Sequence, residues 1–159
     1  VVMTSVSLYF MPRLGEVAGT PALRREIIWT FLRTVGATAS IAFAMFLVRD
    51  LIVRIVFTQE FFAVRDLMPI QLLGDVLKMA AWTFEVVLVA LVRSRWYIAL
   101  QILIPATYFG GTMVLIPTFG AKGVTWAYCL AAAIHLSVAT IALRDVLFQK
   151  PDRRSDGHV

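Results

Sequence analysis

The stretch AVRDLMPIQLLGDVLKMAAWTFEVVLVALV, residues 63–92, decides the fold. As a helix it is long enough to cross about 30 Å of hydrocarbon, yet Asp75, Lys78 and Glu85 lie inside it. At about 100° per residue, Gln71, Asp75, Lys78, Trp82 and Glu85 fall within a sector of about 80°. The opposite face is almost wholly apolar. A charged group at the centre of a bilayer helix costs on the order of 3 kcal/mol, so this face is expected to turn toward a water-filled cavity or a partner helix and to mark a functional site. The bland alternative is structural: Asp75 pairs with Lys78 three residues further along the same helix.

The rest of the chain has the same character. Of 159 residues, 60% are hydrophobic and 16% charged, with a mean hydropathy of +0.81, far more apolar than a soluble domain needs. It reads as an all-α, polytopic transmembrane helix bundle. The single cysteine, Cys129, sits in an apolar run, which excludes disulfides and cysteine metal sites and suits a small buried hydrophobe. The net charge of +5 does not point to nucleic acid, because the basic residues cluster at the ends of apolar spans. There is no Gly-rich phosphate loop, Walker lysine, nucleophile elbow or two-His metal spacing. No catalytic residue, cofactor or metal is expected, no ATP-driven engine is encoded, and the chain is read as a non-enzyme.

Punctuation along the chain divides residues 1–148, a transmembrane domain of one partial and four full spans, from a polar tail at 149–159. Residues 1–11 read as the end of a span closed by Pro12 and Arg13. With no initiator Met and no signal peptide, the chain is expected to be a piece of something longer. Thr20 and Pro21 supply an N-cap and first-turn pair for a helix running to about Val48. Residues 51–57 are too short to span and are placed flat at the interface, anchored by Phe61 and Phe62. The charged helix follows, with Pro69 as an expected kink. Arg93, Ser94 and Arg95 form a basic turn before a span over residues 96–119, loosened by Pro105, Gly110 and Gly111. Residues 120–123 make the next turn, and a last span covers about 124–143.

If the spans alternate, Arg13, Arg24, Arg25, Arg33, Arg93, Arg95, Arg144, Lys150, Arg153 and Arg154 lie on one side, and Arg49, Arg54, Arg65 and Lys122 on the other. The positive-inside rule places the first set and the C-terminus in the cytoplasm. Further polar stripes accompany the charged one. Arg33, Ala37, Ser40 and Ala44 share a face that suits close helix packing, with Arg33 either facing a cavity or snorkelling to the interface. Gln101, Pro105, Tyr108 and Thr112 share another, and Tyr128, Ala132, His135 and Ala139 a third. A lone membrane histidine such as His135 serves as an interhelical hydrogen-bond partner or handles a proton. Stripes on several helices describe a bundle around a hydrated cavity, as in a pump, transporter or flippase.

The run RDLIVRIVFTQEFFAVRDLMPIQLLGDVLKMAAW from Arg49 to Trp82, together with SLYFMPRLGEV near the start and LIPTFGAKGVTWAY later, resembles the C-terminal half of Wzx-type oligosaccharide-lipid flippases. Within that family it looks most like the branch serving enterobacterial common antigen. The family belongs to the multidrug/oligosaccharidyl-lipid/polysaccharide exporter superfamily, whose members have two six-helix lobes. The resemblance runs from about Ser5 to Asp145; QLLGDVLK, residues 71–78, is its most specific block, and FGAKG is shared more widely. It implies part of the second lobe, in the bacterial inner membrane. The implied cargo is an undecaprenyl-pyrophosphate-linked oligosaccharide for O-antigen or common-antigen synthesis, and the implied partners are membrane lipids, the missing first lobe, a polysaccharide polymerase and a chain-length regulator. Only Gln71, Asp75 and Lys78 carry over from the family by residue.

On this reading Lys78 and Arg33 attract the pyrophosphate, while Gln71, Trp82, Gln101 and Tyr108 hold substrate. Asp75 or Glu85 responds to a coupling proton or cation, since poor hydration favours the neutral carboxyl, with His135 assisting. A multidrug antiporter would instead expect acidic cavity groups. A non-transporting scaffold for polysaccharide assembly enzymes would keep the stripes dry.

Overall fold

In the computed structural model, residues 14, 22–56 and 64–148 are described, and among them the chain is helical with no strand. The elements are α1 (Ala22–Leu47), α2 (Arg49–Val56), α3 (Val64–Ala90), α4 (Ser94–Phe119), α5 (Ala121–Ala142) and the short α6 (Arg144–Phe148). Helices α1, α4 and α5 are long and apolar enough to cross a membrane. Helix α3 matches them in length and differs in its three interior charges. The expected all-α polytopic bundle is therefore what the chain forms, and it is a multi-pass membrane protein. The first span, the Thr20–Pro21 cap, Phe61, Phe62 and the tail from residue 149 lie outside the described residues.

Helix α3 packs against α1 on one side and α5 on the other, and α5 packs against α4. The most highly charged helix is thus an inner element. Its last turns, with Phe84, Val87 and Leu88, meet Leu23 and Ile27 of α1 and Ala139 of α5 in the apolar core. Phe31 stacks on Phe84 at 4.9 Å. This core fills the end of the bundle that carries Arg24, Arg25, Arg93 and Arg144. Large side chains such as Phe43, Leu47, Ile102, Met113 and Val114 point outward from α1 and α4, as expected of surfaces in contact with lipid tails. Hydroxyls on the spans are satisfied by their own helices: Thr38, Thr83, Thr112 and Thr140 each donate to the carbonyl four residues back.

The turns set the helix offsets. At the end of α3, the Arg93 N–H reaches the Leu88 carbonyl at 2.8 Å and the Val92 N–H reaches Val89 at 3.0 Å, the paired bonds of a Schellman-type end. Val92 takes the left-handed position with φ 55°, which costs a β-branched residue about 1–2 kcal/mol. Arg93 then stretches across to the end of α5. Its guanidinium donates to the Ala142 carbonyl at 2.7 Å and to Asp145 Oδ1 at 2.8 Å, with a second bond to Asp145 Oδ2. Held in this bidentate contact, the Asp145 carboxyl titrates below its ordinary range, mainly because of the hydrogen bond from Arg93, and Arg93 is raised by the same bond.

Between α4 and α5 the sequence led us to expect a turn over residues 120–123. In the structure α5 begins at Ala121. Gly120, at φ 57°, reverses the chain alone, and Gly123 serves a different purpose. A Cβ there would lie 2.5 Å from the Leu115 carbonyl oxygen, so its bare Cα lets the two helices meet backbone to backbone. On the other side of the bundle, Arg65 of α3 pairs with Asp50 of α2 at 2.8 Å, and Val53 is buried beneath α2. The segment expected at the interface is thus a two-turn helix pinned to α3.

Candidate functional site

Lys78 stands midway along α3, about 21 Å of helical rise from its first residue. Its side chain is exposed and opens into a cavity of about 400 Å³ between α3, α4 and α5, whose walls include Gln71, Pro105, Tyr108, Phe109 and Tyr128. Tyr108 and Tyr128 meet edge to face at 6.3 Å. The Lys78 ammonium lies 5.5 Å from the Tyr128 ring centroid, a cation–π distance.

Tyr128 is held from two directions. Its hydroxyl donates to Asp75 Oδ1 at 2.7 Å, and its ring lies against Gly74, where a Cβ would sit 2.5 Å from Cδ1. Asp75 is therefore engaged across the α3–α5 interface, and among the described residues no ion pair joins it to Lys78. The structural pairing weighed from the sequence is not what the helices adopt.

Two turns further along α3, Glu85 is 6% exposed and His135 of α5 is 3% exposed. Their Oε1 and Nε2 atoms are 2.9 Å apart, a hydrogen bond that joins two buried side chains across the α3–α5 interface. Gln101 of α4 approaches the same Oε1 at 3.4 Å. The stripe on α3 is thus divided between two environments. Gln71 and Lys78 border open space together with Tyr108, whereas Glu85 is sealed with His135, beyond the cavity.

The other expected residues lie elsewhere. Trp82 packs against the apolar core and does not line the cavity. Arg33 is exposed on α1 with its guanidinium 5.5 Å from the Trp29 ring. Gln101 faces Glu85 instead of joining Tyr108 at the cavity wall. Conversely, Tyr128 was visible only as a member of a polar face on the last helix. The signal that could have found it was Gly74 at the edge of the charged stripe, a gap in one helix that a large side chain of another can fill. Among the described residues no group of His, Cys, Asp and Glu has metal-site geometry.

No family model matches the chain, and no solved structure matches it. It is 30% identical over 141 residues to the lipid III flippase of Escherichia coli (strain K12), and equally so to that of Shigella flexneri. The match takes in 86% of this chain and 33% of each relative, so the chain spans about a third of the length of the curated relatives it matches. The resemblance to Wzx-type flippases is borne out at this level.

Proposed function

We propose, from this similarity to lipid III flippases, that the chain forms part of the second lobe of a flippase moving an undecaprenyl-pyrophosphate-linked oligosaccharide across the bacterial inner membrane. The product would serve O-antigen or enterobacterial common antigen synthesis. The observation that supports this best is the mid-membrane cavity whose charged lining residue is a lysine, Lys78, flanked by aromatic and amide groups. An ammonium in a cavity with largely apolar walls attracts phosphoryl oxygens, and the Tyr108, Phe109 and Gln71 walls suit sugar rings and hydroxyls. A multidrug antiporter taking cationic drugs would need the opposite charge there. The cavity also disfavours a scaffold whose stripes are all dry.

Transport on this reading proceeds by alternating access of two lobes around the site. Arg33, exposed on α1, would face the cleft between lobes, where its guanidinium could meet the pyrophosphate. Glu85 and His135 are assigned the coupling ion, since a buried carboxyl–imidazole pair changes its net charge when it takes up or releases a proton. The tail is placed in the cytoplasm by the arginine distribution. A polymerase and a chain-length regulator are the expected neighbours.

The test is export of surface glycan by the full-length protein in a host lacking its own flippase. Lys78→Ala is expected to reduce export at least about tenfold with protein abundance nearly unchanged, and Lys78→Arg to retain part of it because the charge survives. Normal export by Lys78→Ala would refute the assignment.

A further inference from the structure

Asp75 and Lys78 are three residues apart on one helix, the spacing at which opposite charges meet. Beside the low-dielectric walls of a helix bundle, such a pair would attract more strongly than on an open surface. The structure nevertheless keeps them apart. Asp75 accepts the Tyr128 hydroxyl at 2.7 Å, while Lys78 rests over the face of that same ring and stays exposed to the cavity. Gly74 opens the space that lets Tyr128 lie between them, since any Cβ there would collide with the ring.

We propose that Tyr128 is a charge-separating residue: by occupying Asp75 it keeps Lys78 unpaired and available to a phosphoryl anion. This rests on the reading of Lys78 as an anion-binding group and adds a role for two residues around it. Tyr128 and Asp75 are positioning residues that act through Lys78. The ring offers the ammonium a partner weak enough to surrender, because a cation–π contact is exchanged for a phosphate oxygen more readily than a salt bridge is. Removing the phenolic hydroxyl frees Asp75 to turn along its own helix and neutralise Lys78.

The experiment is titration of farnesyl pyrophosphate into the full-length protein in nanodiscs, read by calorimetry, with helical content and monodispersity checked for each variant. Tyr128→Phe is expected to weaken binding about tenfold, approaching Lys78→Ala, and Tyr128→Phe with Asp75→Asn to return within about threefold of wild type, since the neutral amide no longer competes for the ammonium. Asp75→Asn alone is expected to bind as wild type or somewhat tighter, and it supplies the test if Tyr128→Phe does not fold. Unchanged binding by Tyr128→Phe, a double variant as weak as Tyr128→Phe, or a tenfold loss in Asp75→Asn would each overturn the proposal while leaving the role of Lys78 intact. Unchanged binding by Lys78→Ala would overturn both.

Discussion

Gly74→Ala isolates the contact that seats Tyr128. A Cβ at Gly74 would lie 2.5 Å from Cδ1 and 2.7 Å from Cε1 of that ring, about 1 Å inside the ordinary carbon–carbon separation of roughly 3.5–4.0 Å. Overpacking of this kind costs about 1–3 kcal/mol. The ring cannot swing aside freely, because its hydroxyl is bound to Asp75. Against this, Ala gains up to about 1 kcal/mol over Gly in a helix interior, so a net loss of about 1–2 kcal/mol is expected. Gly110 is the control: it lies within α4, and nothing stands within 4 Å of its hypothetical Cβ. Gly110→Ala should therefore be neutral or stabilise by up to about 1 kcal/mol, leaving the two variants about 2 kcal/mol apart. Equilibrium unfolding in mixed micelles with increasing SDS, followed by far-UV circular dichroism, measures both. In a Tyr128→Ala background the nearest remaining atom is the Cys129 Cα at 3.5 Å, an ordinary contact, so Gly74→Ala should lose most of its penalty. Equal stabilities for Gly74→Ala and Gly110→Ala, or a penalty that persists without the Tyr128 ring, would refute the packing argument.

Two further outcomes are expected from the ends of the bundle. Arg93→Ala breaks both bonds to Asp145 and the cap on the Ala142 carbonyl; because both side chains are partly exposed, a loss of about 1 kcal/mol is expected at neutral pH. Asp145 is held below its ordinary range, so its contribution is present above the unfolded value near pH 4 and is lost as pH falls through the lower folded value. Unfolding curves of wild type and Arg93→Ala should accordingly draw closer on acidification below about pH 4, leaving the part of the difference due to the Ala142 carbonyl bond. As for orientation, in a protein lacking Cys129, Ser94→Cys should resist an impermeant thiol reagent in intact cells and Thr118→Cys should react. The opposite pattern would reverse the topology drawn from the arginines.

Much of the fold was legible residue by residue. Apolar length marked spans over about 21–48, 96–119 and 124–143, where the structure has helices over 22–47, 94–119 and 121–142, and Arg93 with its neighbours marked a turn. The periodicity of 63–92 was enough to find a charged stripe, because all its members belong to one helix and their angular spacing follows from helical geometry alone. Sequence fared worse at the α4–α5 turn, where Gly123 was taken for turn chemistry and its use is close approach to Leu115. It placed Trp82 in the cavity, whereas that ring is half-buried against the apolar core.

By itself, then, the sequence determined that this is a helical membrane protein, which charged residues interrupt its apolar stretches, and which of them share a face of α3. Those are local properties: hydrocarbon demands apolar length and satisfied backbone groups, and the helix repeat does the rest. Only the tertiary structure decided that Lys78 opens into a cavity while Glu85 is sealed against His135, and that Asp75 turns away from Lys78 to Tyr128. Partnership across helices depends on how each is rotated and slid along its neighbour. Here that is set by contacts between residues far apart in the chain: Gly74 against Tyr128, Gly123 against Leu115, and Arg93 against Ala142 and Asp145.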